Sequence, residues 1–370
     1  MLGVSLYWFA VLQAFSLIAF PLAYRTFGRL PDRGWAFSKP LGLLLAGFGT
    51  WAIGLTHTIP NSRWSVLLAV LVVAALSWAA SRGIRPEIRA FVRSHINTIV
   101  ATELLFAAVF LGVVLLRASV TDIRHTEQPM DFMFLNSTIV SPFYPPNDPW
   151  LAGRAVSYYY LGYLMIGTVT MFSGIAVSIA YNLGLATVAA MGAVAAFGVT
   201  FNLVRLARGS VDGAVVGGLA SAFLLLIASN LAGALELARA SGSGDPAFWE
   251  SVGIQGLSAG GLSSTWNPDG FWWWWNASRV IPGAVTEFPL FSFLLGDMHP
   301  HVMSIGFVLL SVGLAMQIYL QPALLRRESL RRHWPLAVVT VVATGSLAAV
   351  NLWDLPLGLS LIVGALMLNA

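Results

Sequence analysis

The sequence predicts an all-α, polytopic transmembrane helical protein with about nine spanning helices and one further helix that is in-plane or re-entrant. Three observations predict it. Hydrophobic residues make up 57% of the chain and charged residues only 10%, against about 25% charged in soluble domains, so the chain cannot cover a globule with solvated side chains. The apolar residues fall in runs of about 20, the length that crosses hydrocarbon with every backbone group paired inside its own helix. Most basic residues fall in clusters between those runs. Together these exclude cytosolic enzymes and nucleic-acid readers. The absence of cysteine also removes disulfides, thiolate metal sites and cysteine nucleophiles.

The spans are read from the apolar runs at 3–24, 40–57, 64–81, 98–117, 180–204, 212–235, 301–320, 335–352 and 356–370. The first run has no basic segment before it and is followed by Arg25, Arg29, Arg33 and Lys39. It therefore reads as a retained anchor with its N-terminus outside, not as a signal peptide. Further basic clusters lie at Arg82, Arg85, Arg89 and Arg93, at Arg205 and Arg208, and at Arg326, Arg327, Arg331 and Arg332. The four clusters hold 14 of the 20 basic residues, and cytoplasmic loops carry such an excess. With all four inside, loops 118–156 and 236–300 lie outside, as does the turn at Asp354.

Parity then allows one crossing between residue 156 and Arg205, where there are two apolar runs. The run 157–176 opens on Tyr158, Tyr159, Tyr160 and Tyr163, and tyrosine prefers the headgroup level, so this is the helix that does not span. If both runs crossed, the two large loops would sit on opposite sides. No repeat or long linker divides the chain. It reads as a single transmembrane domain, 1–370, with an N-terminal three-helix part, 1–97, and a core, 98–370.

Three segments carry possible chemistry. In the first, 121–132, Pro129 suits the first turn of a short helix, which puts Asp131 near a helix N-terminus where an ionised carboxylate is favoured. Glu127 approaches from the preceding turn, so the two acids can hold a hard cation or orient a proton acceptor; a solvated loop is the plain alternative. In the second, 286–301, Asp297, His299 and His301 alternate, so an extended turn can point all three one way, onto a metal or a phosphate. The alternative is that the histidines merely cap the outer end of a span. In the third, 266–279, four tryptophans, Trp272 to Trp275, suit an interfacial belt. A ring such as Trp274 can also carry a sugar or a polyprenyl chain, and Arg279 is placed to meet a phosphate. Glu103 lies inside a span, and Asn351, Trp353 and Asp354 form a polar turn able to line an outer cavity.

Glu127-Gln128-Pro129-Met130-Asp131-Phe132, the run from Tyr144 to Trp150, and Tyr158-Tyr159-Tyr160-Leu161-Gly162-Tyr163 together resemble the uncharacterised YYY-type membrane proteins of bacteria and archaea. Glu287-Phe288-Pro289, the run from Gly296 to His301, and the run from Asn351 to Pro356 continue the resemblance over most of residues 95–356. Members of that family are usually longer, which implies that the chain lacks a C-terminal part. More distantly, the layout is similar to the GT-C superfamily of glycosyltransferases, which includes oligosaccharyltransferases and protein mannosyltransferases. Those enzymes use lipid-phosphate sugars at an outward-facing site. Their acidic residue in the first large outer loop is matched here by Asp131 with Glu127, and their second acidic motif by Asp297. The second motif departs in carrying histidines.

The expectation is a glycosyltransferase of the plasma membrane that moves a sugar from a polyprenyl-phosphate donor to a glycan, lipid or protein acceptor on the extracytoplasmic side. Asp131 is the expected base, with Glu127 orienting it. Arg279 and His301 are expected at the donor phosphate, and Asp297 and His299 at a divalent ion, Mg or Mn. Tyr158, Tyr159, Tyr160, Trp274 and Asp354 are expected to contact substrate or lipid. The rival readings are a transporter or lipid flippase with an ion path through the acids, and a non-catalytic assembly subunit of GT-C-like shape.

Overall fold

The computed structural model describes residues 2–228, 230–253, 277–279, 281, 283–321, 324 and 327–369. The described residues are helical with short connections, and contain no strand beyond one isolated bridge between Asn147 and Ala155. In chain order the helices are α1 (Leu2–Thr26), α2 (Ser38–Leu55), α3 (Arg63–Ala80), α4 (Arg85–Ser94), α5 (Ile96–Ser119), α6 (Gln128–Val140), α7 (Leu161–Ser173) and α8 (Val177–Leu206). They continue with α9 (Val211–Leu226), α10 (Ala232–Ala240), α11 (Pro246–Val252), α12 (Pro289–Leu295), α13 (Pro300–Tyr319), α14 (Arg327–Arg332), α15 (Trp334–Val350) and α16 (Leu355–Asn369).

Six helical stretches among these are long and apolar enough to cross a membrane: α1, α3, α5, α8, α13 and the stretch Leu352–Asn369 that contains α16. Three of the expected spans are less regular. The helix at 40–57 forms as α2, whereas α15 is an apolar helix of 17 residues. The run 212–235 is helical only to Leu226, and a new helix starts at Ala232. Asn230 lies in the break and its side chain donates to the Ala277 carbonyl at 2.9 Å, the kind of competing bond that keeps Asn out of helix interiors.

The chain divides into two compact units, residues 1–222 with 296–370, and residues 223–295. The smaller unit has a core of Ala277, Phe288 and Phe291 with Leu235 and Val252 packed against it. Asp245 caps α11 by accepting from the Phe248 N–H at 2.7 Å. Trp274 lies outside the described residues.

In the larger unit the two ends of the helices have different chemistry. At one end the Arg29 N–H donates to Gln317 at 2.8 Å. Buried Asp32 accepts from Asn202, one turn before Arg205, at 2.8 Å. Arg25, Arg29, Arg33, Glu87 and Arg332 line one cavity of about 300 Å³. Residues of all four basic clusters, or their close neighbours, therefore meet at the same end. At the other end Asn61 ties the start of α3 to the last turn of α6 through the Thr138 carbonyl at 2.8 Å. Trp51 donates to the Tyr160 hydroxyl there at 2.9 Å.

The run 157–176 contains α7, 13 residues long, or about 20 Å at 1.5 Å per residue, too short for a hydrocarbon core of about 30 Å. Its course is equally telling. Tyr163 in its first turn donates to Asp131 at 2.5 Å, and Tyr181 in the next helix is back within 3.4 Å of the same carboxylate. The chain between them leaves and returns to one end of the bundle. Residues 161–170 of α7 are all buried, so this is a helix packed inside protein and not one laid among headgroups.

Candidate functional site

The site forms where α6 begins. Glu127 occupies the position before the helix, Pro129 lies in its first turn, and Asp131 follows in that turn. Gln128, buried at 1% exposed, holds the approach by accepting the N–H groups of Arg124 and His125 at 3.1 and 3.2 Å. Asp131 is thereby turned into the bundle, fully buried.

The second segment arrives from 167 residues away. The Met298 N–H donates to Asp131 Oδ2 at 3.1 Å, and the Asp131 and Asp297 carboxyl groups hydrogen-bond each other. Tyr181 bridges the two segments, donating to the Gly296 carbonyl at 3.1 Å. Two acids with one proton between them cannot both ionise cheaply out of water. Burial lifts Asp131 to about 6, partly offset by the hydrogen bonds it accepts from Asp297, Tyr163 and Met298. Burial, then the Asp131 charge, lifts Asp297 to about 8. Near neutrality the pair holds one proton between the two carboxyl groups. Asp297 Oδ1 is buried.

The accessible groups form a shell around this pair. The Glu127 side chain is 51% exposed and reaches His299 Nε2 at 3.4 Å. The Tyr158 hydroxyl lies 3.3 Å from the same nitrogen, and His299 Nδ1 is 2.7 Å from His301 Nδ1. One turn on, Ser304 bonds both the His301 carbonyl and Asp354, and Asn351 bonds Asp354 at 2.8 Å. Asp354 thus sits beside the start of α13. Tyr159 stacks near Tyr158, at 4.8 Å between ring centres, and Tyr160 is engaged by Trp51.

Of the residues expected in the site, Asp131, Glu127, Asp297, His299, His301, Tyr158 and Asp354 come together in the larger unit. Asp297 pairs with Asp131, whereas His299 pairs with Glu127, Tyr158 and His301. Arg279 belongs to the smaller unit, where it is half-buried and its guanidinium donates to Ser278. Glu103, the one acid deep in a span, accepts from Gln13 at 2.8 Å, Trp35 at 2.9 Å and Lys39, which ties α1, α2 and α5 together.

Sequence reasoning missed Tyr163, Tyr181, Gln128 and, above all, Arg117. Arg117 is 3% exposed at the end of α5. It donates to Asn182 at 2.8 Å and to the Asp122 carbonyl at 3.2 Å. The ion pairs among the described residues are Lys39–Glu103, Arg124–Asp122 and His299–Glu127, so Arg117 is in none of them, although the Asp122 charge acts on it. Its guanidinium packs against Gly296, whose φ of +82° and lack of a side chain make room for it. On its other side it lines a cavity of about 710 Å³ between α1, α5 and α8, walled mainly by apolar residues such as Leu2, Leu111, Leu115, Ile179 and Leu183. The signal was present in the sequence, as an arginine closing an apolar run, which is costly at membrane depth.

No curated protein and no solved structure matches the chain. Residues 45–370 match the family described as uncharacterized membrane protein (DUF2298), a longer stretch than the motifs alone suggested. The chain belongs to this family of multi-pass membrane proteins, and the paired acids, the tyrosines and Arg117 all lie within the matched region.

Proposed function

We propose that the protein is a membrane glycosyltransferase that moves a sugar from a polyprenyl-phosphate donor to an acceptor hydroxyl on the extracytoplasmic side of the plasma membrane. The observation that carries this reading is Arg117, a buried cation in none of the ion pairs of the described residues, standing between an apolar cavity and the segment that bears Asp297. A polyprenyl tail suits the cavity and its phosphate suits the guanidinium. Arg117 takes the role that the sequence suggested for Arg279.

In the reaction, the acceptor oxygen bonds to the anomeric carbon of the sugar as the bond from that carbon to the phosphate oxygen breaks. The electron pair leaves with the polyprenyl phosphate, where Arg117 stabilises the charge. The acceptor proton goes to Glu127, the carboxylate open to solvent, with His299 at 3.4 Å as its partner. Asp131 is too enclosed to meet an acceptor directly. It acts as a positioning residue that fixes the Gly296–Met298 segment against α6. Magnesium and manganese prefer oxygen donors, whereas His299 is already engaged by Glu127, Tyr158 and His301, so no step here is routed through an ion.

The test uses the full chain in liposomes with a polyprenyl-phosphate hexose, measuring release of polyprenyl phosphate in the presence of membrane acceptors. Glu127→Gln is expected to slow turnover by about 10² to 10⁴-fold, the usual contribution of a general base. Arg117→Gln is expected to weaken donor binding. A parent protein that neither binds nor consumes the donor lipid would overturn the proposal.

A further inference from the structure

A second groove lies at the opposite, basic end of the larger unit, between α1, α3 and α4, with a volume of about 340 Å³. Its wall is apolar, formed by Leu17, Ile18, Pro21 and Ala74, and its mouth carries Arg85 and Arg89. Both α1 and α3 have membrane-crossing length and composition, so what fills a gap between them comes from the bilayer. The mouth is built to hold charge. Arg85 stacks over the Trp78 ring at 3.5 Å, which fixes the guanidinium plane and leaves its N–H edges available. Arg85, Arg89 and Arg93 repeat every fourth residue on one face of α4, while Phe91 on another face is buried against Phe20 and Tyr24, an arrangement suited to lying at the membrane surface.

Neither Arg85 nor Arg89 is in any ion pair of the described residues. Glu87, the one acid on α4, lines a different cavity. A separate observation points into the groove: Ser77, which lines it, is 2% exposed and its hydroxyl has no hydrogen-bond partner. Cations without counter-charge at the mouth, an unsatisfied hydroxyl within and an apolar wall are complementary to one class of molecule. We propose that this groove binds an anionic phospholipid, with an acyl chain against Leu17, Ile18 and Ala74 and the headgroup phosphate at Arg85 and Arg89. The site is separate from the Asp131 site and does not depend on the glycosyltransferase reading.

The test is native mass spectrometry of the full chain released from detergent micelles, titrated with phosphatidylglycerol and, separately, phosphatidylcholine. The parent protein is expected to retain phosphatidylglycerol more tightly than phosphatidylcholine. Each arginine near a membrane surface contributes about fivefold to anionic-lipid affinity, so the double variant Arg85→Gln with Arg89→Gln is expected to lose about 30-fold for phosphatidylglycerol and little for phosphatidylcholine. Arg63→Gln, an exposed arginine at the far end of α3, removes a positive charge and should change nothing. Ala74→Phe keeps both arginines and fills the groove, so it decides the matter if the double variant fails to fold, and it should also lose phosphatidylglycerol. Equal retention of the two lipids by the parent overturns the proposal. So does an Arg63→Gln loss as large as that of the double variant, or full binding by Ala74→Phe.

Discussion

Replacing Asp297 by asparagine probes the shared proton directly. Burial and mutual repulsion raise both carboxyls of the pair, to about 6 and about 8, above the 3.8 of an aspartate in water. A carboxyl with a raised folded pKa binds a proton that the unfolded chain has released, so stability falls as pH rises until the folded pKa is passed. Between pH 6 and pH 8 the excess is one proton, held by the pair. At about 1.4 kcal/mol per pH unit, this lowers stability by about 3 kcal/mol across the window, and the loss levels off above it. The asparagine amide can donate to Asp131 as the protonated carboxyl does, but it does not titrate. Asp297→Asn should therefore gain on the parent by about 3 kcal/mol from pH 6 to pH 8, or roughly 4 °C in melting temperature for a chain of this length. The assay is thermal unfolding of the detergent-solubilised chain at half-unit steps of pH. A parent and variant with parallel pH profiles would refute the shared-proton account, as would a variant that loses ground as pH rises.

Other perturbations separate the remaining parts of the site. Tyr163→Phe removes a hydroxyl that donates to buried Asp131 at 2.5 Å, and should cost about 1.5 to 3 kcal/mol, typical of a hydrogen bond to a charged group, read by thermal unfolding at pH 7. Gly296→Ala places a methyl group against the Arg117 guanidinium at a φ of +82°; it should destabilise the chain by about 1 kcal/mol or more and weaken donor-lipid binding through Arg117, seen together in melting and lipid titration. Arg117→Gln should raise KM for a polyprenyl-phosphate sugar about tenfold or more, because a charge-assisted phosphate contact is lost; unchanged KM would remove Arg117 from the donor site. Asp131→Asn should disturb turnover through misplacement of the Gly296–Met298 segment, so its activity loss should come with lower protection of the Met298 amide in hydrogen exchange.

Much of the architecture is a bulk property of the chain and was legible in it. Apolar runs long enough to satisfy their own backbone in hydrocarbon identify the membrane class and most helix positions, since that constraint acts on each segment separately. Pro129 and Asp131 marked the start of α6 for an equally local reason, the preferences of a helix's first turn. The tyrosine-rich run was expected at the headgroup level, whereas its tyrosines contact Asp131, Trp51 and His299.

Class, helix positions and the clustering of basic charge between helices are thus properties of local composition, readable residue by residue. Only the tertiary structure decided which polar groups share a site. α8 is apolar around its whole circumference and 89% of its most apolar window is buried, so no periodicity reveals which face Tyr181 occupies. The contact between Asp131 and Met298 spans 167 residues, and the pKa of each acid in the pair depends on desolvation by helices remote in sequence. Arg117 shows the same limit. As a letter in the sequence it closes a span; only the packing places its guanidinium against Gly296 and at the wall of an apolar cavity.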